Sequence, residues 1–158
     1  MKLIGKNYAT ERQIYIVSLP QLDSSLEEVK GTSKYLGVFI AYDATHVSDK
    51  TIVQFAQSLL QIGLAYVCIW GPDCERVHDL FDVAIVENDP NETDKTVRMT
   101  TWLPDLNFEE ALWHFFNVSF PADAYWDECR TELLIVIGNQ HLADIIHTLP
   151  VVIDQISS

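Results

Sequence analysis

Two rhythms of apolar residues alternate along the chain. Compact apolar runs at 35–42 (YLGVFIAY), 64–70 (LAYVCIW) and 131–138 (TELLIVIG) have the length and β-branched content of strands buried on both faces. Between them, apolar side chains recur every three or four positions, as on one face of a helix. Ile52, Val53, Phe55, Ala56, Leu59, Leu60 and Ile62 make one such stripe, and Phe108, Ala111, Leu112, Phe115 and Phe116 another. Leu142, Ile145, Ile146 and Leu149 make a third. The punctuation agrees: Ser48 and Asn139 stand where caps are needed, Asn107 with Glu110 forms a capping box, and Gly63 closes the helix before 64–70. A looser alternation at 13–19 (QIYIVSL), stopped by Pro20, predicts a first strand at a sheet edge, followed over 20–34 by a connecting loop or short helix. Pro72 is placed to open a short helix with Val77, Leu80 and Phe81 inward. Residues 83–87 (VAIVE) then read as a further buried strand, 88–95 as an acidic loop and 96–102 (TVRMTTW) as a more exposed strand. Pro150 ends the last helix, leaving Val151 to Ile153 as a final short strand.

Apolar strands alternating with amphipathic helices define an α/β domain. The expected architecture is a single domain over 1–158, with the core in 35–150. It is a three-layer sandwich with a mainly parallel sheet of five or six strands, of the Rossmann- or flavodoxin-like kind. Ligands of such sheets sit beyond the carboxyl ends of the strands. The turns at 43–48, 70–74, 88–95, 102–107 and 138–140 fall there.

Composition narrows the class. With 158 residues, 48% of them apolar, the chain can bury a real core. No apolar run approaches the ~20 residues that cross a bilayer, and the first residues (MKLIGKNYATERQ) lack a secretory core, so no membrane role is expected. Three irregularly spaced cysteines, Cys68, Cys74 and Cys129, suit reduced thiols in the cytoplasm, and no C-x-x-C offers a structural zinc site. The net charge of −13 changes the picture most, because it is uneven: residues 73–128 hold fourteen acids against three basic residues. Such a field repels nucleic acid and attracts basic partners. Solubility alone is one account of it; a basic protein partner is the sharper one.

The candidate chemistry is sparse. Cys74 lies in the first turn of a helix, where the dipole lowers a thiol pKa, and His78 follows at the spacing of a Cys–His contact. Asp73, Glu75 and Asp79 oppose that activation, and Cys74 also shares the inward stripe with Val77 and Phe81. Gly71 opens a turn without any phosphate-binding glycine motif. Asp43, at the end of a buried strand, is the best carboxylate for a catalytic or cation-binding role, with Asp73 and Asp105 able to approach it. The pairs His78/Asp82 and His141/Asp144 each offer two metal ligands and lack a third, so no metal and no cofactor is assigned. Trp113 stands on the polar side of its helix with Glu109, Glu110 and Asn117, and Tyr125 and Trp126 precede Asp127 and Glu128. Rigid aromatics on an acidic face are typical interface anchors.

The runs GLAYVCIWGPDCERVHDLFD, RMTTWLPDLNFEEALWHFF and TELLIVIGN together resemble a bacterial family known only as a domain of unknown function. The matching residues are Trp70, Gly71, Asp73, Cys74, Asp82, Thr100, Thr101, Trp102 and Trp113, over roughly half the chain. Leu103 stands where that pattern has His. The resemblance implies positions and no reaction. It suggests that Trp70-Gly71 and Thr101-Trp102 meet at one sheet edge, either walling a pocket with Thr100, Thr101 and Asp73 as polar points or packing the turns together. Two functions are therefore expected. One is a non-catalytic interaction module, immunity- or defence-accessory-like. The other is a small-molecule binder or enzyme at the edge around Asp43, Asp73 and Cys74.

Overall fold

The apolar runs become the centre of one sheet. In a computed structural model, which describes residues 1–23 and 25–148, the strands are β1 (Lys2–Asn7), β2 (Arg12–Leu19), β3 (Tyr35–Ala41), β4 (Leu64–Trp70), β5 (Met99–Trp102) and β6 (Cys129–Ile137). They lie in the order β1-β2-β6-β3-β4-β5, antiparallel between β1 and β2 and parallel elsewhere. Helices α1 (Asp49–Gln61) and α2 (Cys74–Asn88) cover one face; α3 (Phe108–Val118) and α4 (Gln140–His147) cover the other. The result is a three-layer α/β sandwich in which the last strand inserts between the first two parallel strands.

The caps act as the sequence implies. Ser48 Oγ accepts from Thr51 N (3.2 Å), Asn139 Oδ1 from Leu142 N (3.0 Å), and Asn107 and Glu110 close a reciprocal capping box (2.9 and 3.0 Å). Several expectations change. Residues 83–87 form no strand: α2 continues through them, because Cys74, Val77, Phe81, Ala84 and Ile85 hold one helical stripe while Val83 and Val86 face outward. Pro72 precedes that helix, whose N-cap is Asp73. The sixth strand is instead β1, a polar edge strand that pairs with β2, so the strand expected at 13–19 is neither the first nor at the edge. The strand expected at 96–102 shortens to Met99–Trp102. Leu149, Pro150 and the strand expected at 151–153 lie outside the described residues.

A buried polar knot ties the carboxyl end of β1 to the amino-terminal parts of β2, β4 and β6. Arg12 of β2, Glu132 of β6, Tyr66 of β4 and Asn7 of β1 are each at least 98% buried. Asn7 Nδ2 donates to both Glu132 carboxylate oxygens (3.2 and 3.1 Å), Tyr66 Oη donates to Glu132 Oε1 (3.1 Å), and Arg12 Nε donates to Cys129 O (2.9 Å). An Arg12 amine lies 3.7 Å from the same carboxylate oxygen. Tyr66 reaches Glu132 by crossing β3 at Gly37, where a Cβ would sit 2.1 Å from the Tyr66 ring. Gly37 is thus a passage for a side chain. Burial outweighs the favourable contacts of Asn7, Arg12 and Tyr66, and raises the Glu132 carboxyl from 4.5 to about 7.

Gly37→Ala is expected to cost about 3 kcal/mol in chemical denaturation, by overpacking and by displacing the Tyr66 hydroxyl. The penalty should shrink by more than half in a Tyr66→Ala background. Because the folded Glu132 binds its proton more tightly than the unfolded chain does, the stability from that proton is complete below pH 4.5 and declines as pH rises through about 7. Glu132→Gln should remove that decline, up to about 3 kcal/mol between pH 4.5 and 8. A pH profile parallel to that of the parent chain would refute the assignment.

Candidate functional site

The sheet reverses its direction of winding between β3 and β6. From β3 the chain passes through α1 to β4, whereas β6 leads into α4 on the opposite face. The loops that leave the two carboxyl ends therefore diverge and open a crevice. One cavity there, about 420 Å³, is lined by Tyr42, Asp43, Trp70, Gly138, Asn139 and His141 among others. A second, about 440 Å³, lies across Trp70-Gly71-Pro72 and is lined by Asp73, Cys74, Glu75, Pro104 and Leu106. Gly71 is obligatory at the shared wall: its φ is +123°, and a Cβ would meet Tyr42 O at 2.1 Å. Asp73 adopts a left-handed φ of 64° and gives its carboxylate to Arg76 Nε (2.7 Å). Arg76 also bonds Asp49 (2.6 Å) and the carbonyls of Ala44 (2.6 Å) and Val47 (3.2 Å), so it clamps the loop after β3 onto α2.

The expected site residues separate into different environments. Asp43 is exposed beside the crevice, but its carboxylate accepts from the side chain and backbone of Thr45, which hold it below the usual carboxylate range. Cys74 borders the second cavity yet is buried, and burial raises its thiol pKa despite backbone donors from Leu103 and Glu75. Trp70 and Trp102 do not wall one pocket. Trp70 turns toward α3, donates Nε1–H to Leu106 O (2.8 Å) and packs on Phe108 (5.2 Å). Trp102 turns the other way and stacks on His78 (4.3 Å). Thr100 Oγ1 donates to Asp82 Oδ1 (2.7 Å) and contacts His78 Nε2 (3.1 Å), which locks α2 on β5 and leaves neither group facing the crevice. Thr101 faces α3 with Met99. The alternation of side chains along a four-residue strand explains the division. Among the described residues, no three His, Cys, Asp or Glu side chains gather as metal ligands.

A second surface lies along β5 and α3. Trp113 is 51% exposed beside Leu106, Glu109, Glu110 and His114, which line an apolar groove of about 530 Å³. His114 also borders an adjoining cavity of about 260 Å³ lined by Tyr66, Met99, Thr101, Val118 and Phe120. Trp126, 46% exposed, pairs with Phe120 (5.8 Å) and covers the Arg12 guanidinium (5.1 Å). Tyr125 is not an exposed anchor. It is 6% exposed, its hydroxyl donates to Thr96 O, and its ring stacks on Arg98 (4.3 Å) and Tyr35 (4.7 Å). Sequence reasoning missed Met99, His114, Val118 and Phe120, whose only signal was the Met99/Thr101 alternation beside a helical His114/Val118 pair.

A family model described as domain of unknown function DUF7684 matches residues 14–149. The chain belongs to the DUF7684 family. The DUF7684 match spans both surfaces and takes in Tyr66 and Glu132 of the polar knot, and leaves out β1 with Asn7 and the start of β2 with Arg12. No curated protein and no solved structure matches the chain.

All three cysteines are free and buried, and Cys68 and Cys129 are each pushed up to about 11. The native protein is therefore expected to give well below one equivalent of rapid thiol labelling at pH 7, and three equivalents once unfolded. One fast-reacting thiol in the native state, mapped to Cys74, would restore that residue as a nucleophile.

Proposed function

We propose that this DUF7684 protein is a non-catalytic interaction module that binds a basic protein partner. The observation that carries this reading is the exposed aromatic surface along β5 and α3 within the acid-dense segment. Trp113, Phe120 and Trp126 are rigid, half-exposed anchors, and fourteen acids against three basic residues surround them in the sequence from 73 to 128. Arg76 pairs with Asp73 and Asp49, while Arg98 is held by Leu64 O and the Tyr125 ring. Exposed apolar groups rimmed by charge are how soluble proteins display a docking surface. An immunity- or defence-accessory-like role fits these properties by analogy. Three unpaired, buried thiols fit residence in the reducing cytoplasm; among the described residues, no helix is long and apolar enough to cross a membrane.

A second reading has its own support. The two cavities at the β3/β6 reversal stand where α/β sheets bind small molecules, with Asp43, Asn139 and His141 as polar points. A ligand there should raise the melting temperature of the parent chain and leave that of a His141→Ala, Asp43→Ala variant unmoved.

The interaction reading is tested by affinity capture with the parent chain, Trp113→Ala and Trp126→Ala. Retained proteins should be basic and elute as salt rises past ~0.3 M. Each variant should weaken binding at least ~30-fold, the scale of an interface hot spot. Trp113→Ala should leave stability within about 0.5 kcal/mol, and Trp126→Ala within about 1 kcal/mol because it uncovers Arg12. Full retention of every partner by both variants would end this reading.

A further inference from the structure

Strand β5 is the outer strand of the parallel sheet, and nothing among the described residues pairs with its free side. Its sequence, Met99-Thr-Thr-Trp102, contains none of the lysines or prolines that blunt such an edge. Leu103 N donates inward to Ile69 O, and main-chain groups alternate sides along a parallel strand. The N–H and C=O of Thr100 and Trp102 therefore point away from the sheet. Exposed apolar side chains flank this edge on both faces. Met99, Val118 and Phe120 stand on the α3 side, and Trp102, Val83 and Val86 on the β5 and α2 surfaces of the other. Six of the twelve large exposed apolar residues of the described chain, Trp113 included, thus belong to β5 and the two helices beside it, and a seventh, Phe120, follows the end of α3.

We infer that β5 is a docking edge for an extended, basic segment of the partner, which adds to the sheet as a seventh strand. This rests on the interaction reading above and supplies its binding mode. Main-chain hydrogen bonds to Thr100 and Trp102 hold the segment. Its alternate side chains enter the 260 Å³ cavity between Met99, Thr101, His114 and Phe120. The side chains of opposite parity lie over Trp102 toward α2. Charge selects the occupant. Asp79, Asp89, Glu92, Asp94, Asp105 and Glu109 lie on the α2 and α3 sides of the edge or in the loops before and after β5, against two basic residues there, Lys95 and Arg98, of which Arg98 is held by Leu64 O and two tyrosine rings. A second copy would bring a like field against them, and nucleic acid carries the wrong sign; a Lys- or Arg-rich strand is complementary to it.

The test uses the full chain and a soluble peptide of alternating Val and Arg, about eight residues long. Calorimetry should show binding that falls at least tenfold for the Val/Glu analogue and at least tenfold for a Val/Arg analogue N-methylated at alternate residues. Hydrogen exchange should show the Thr100 and Trp102 amides fast in the free chain and slowed about tenfold by the peptide. Met99→Lys, a surface change, should weaken binding at least tenfold with the melting temperature unchanged. Equal binding of the N-methylated peptide overturns the inference. So do amides already protected in the free chain, or a doubled mass by light scattering that Met99→Lys abolishes, since either means that the chain itself or a second copy holds the edge. The two readings fail separately. If the tryptophan variants lose their captured partner while the N-methylated peptide binds like its parent, strand addition is wrong and the interaction module stands. If strand-dependent peptide binding persists while those variants keep every partner, the edge stands and the tryptophan surface falls.

Discussion

Arg12 and Glu132 meet inside a sheet in which almost every other inward side chain is apolar, and the arrangement of the surrounding strands depends on keeping both satisfied. Isolated charges at such burial cost several kcal/mol each, and a single partner rarely repays that. Here the carboxylate is shared among Asn7, Tyr66 and Arg12, while Arg12 also donates to Cys129 O and lies under Trp126. The partners come from β1, β2, β4 and β6, and β3, which the Tyr66 side chain crosses, contributes the space at Gly37. A register slip in any of these strands would strand a buried charge. The knot therefore specifies register more than it adds net stability, and the upward shift of Glu132 is the residue of its desolvation.

The knot also builds the surface. Tyr66 has its hydroxyl in the knot and its ring beside the cavity between β5 and α3, so fixing the hydroxyl fixes the floor of the groove. Trp126 is held half-exposed because a buried guanidinium lies beneath its ring, and Phe120 is positioned against Trp126. A second stack, Arg98 between Tyr35 and Tyr125, anchors the 3₁₀ segment Asp123–Glu128 that carries Trp126. Arg12 and Arg98 thus serve as mounts for aromatics. An apolar surface within an acidic field remains soluble and repels its own copies, while it attracts a partner of opposite charge.

The architecture was legible where one physical rule acts alone. Continuous apolar runs marked β3, β4 and β6, and polar caps marked the starts of α1, α3 and α4. It failed where two rules competed. VAIVE at 83–87 satisfies strand propensity, yet no turn residue separates it from Phe81 and Asp82, and the stripe through Cys74, Val77, Phe81, Ala84 and Ile85 continues the helix without a break. β1 was invisible because an edge strand needs no apolar alternation, only a neighbour. The knot was beyond reach for a related reason. Asn7, Arg12, Tyr66 and Glu132 are far apart in sequence, and a Glu inside the run TELLIVIG offers no local sign of its partners. Trp70 and Trp102 were expected together from their places at strand ends. They part because a parity difference of one residue sends them to opposite faces. The candidate surfaces follow the same division: the crevice turns were legible from topology, whereas the β5 groove required the packing of α3 against that strand.

The central claim is that the working surface of this DUF7684 protein is the β5/α3 face and that its partner is basic. A structure of the chain in complex with the partner it captures is the most direct measurement. The account predicts a partner seated against Met99, Trp102, Trp113 and Phe120, with its own Lys or Arg residues facing the acids around them. A partner or ligand held instead at the Trp70–Pro72 crevice, with the β5 face left in solvent, would contradict it.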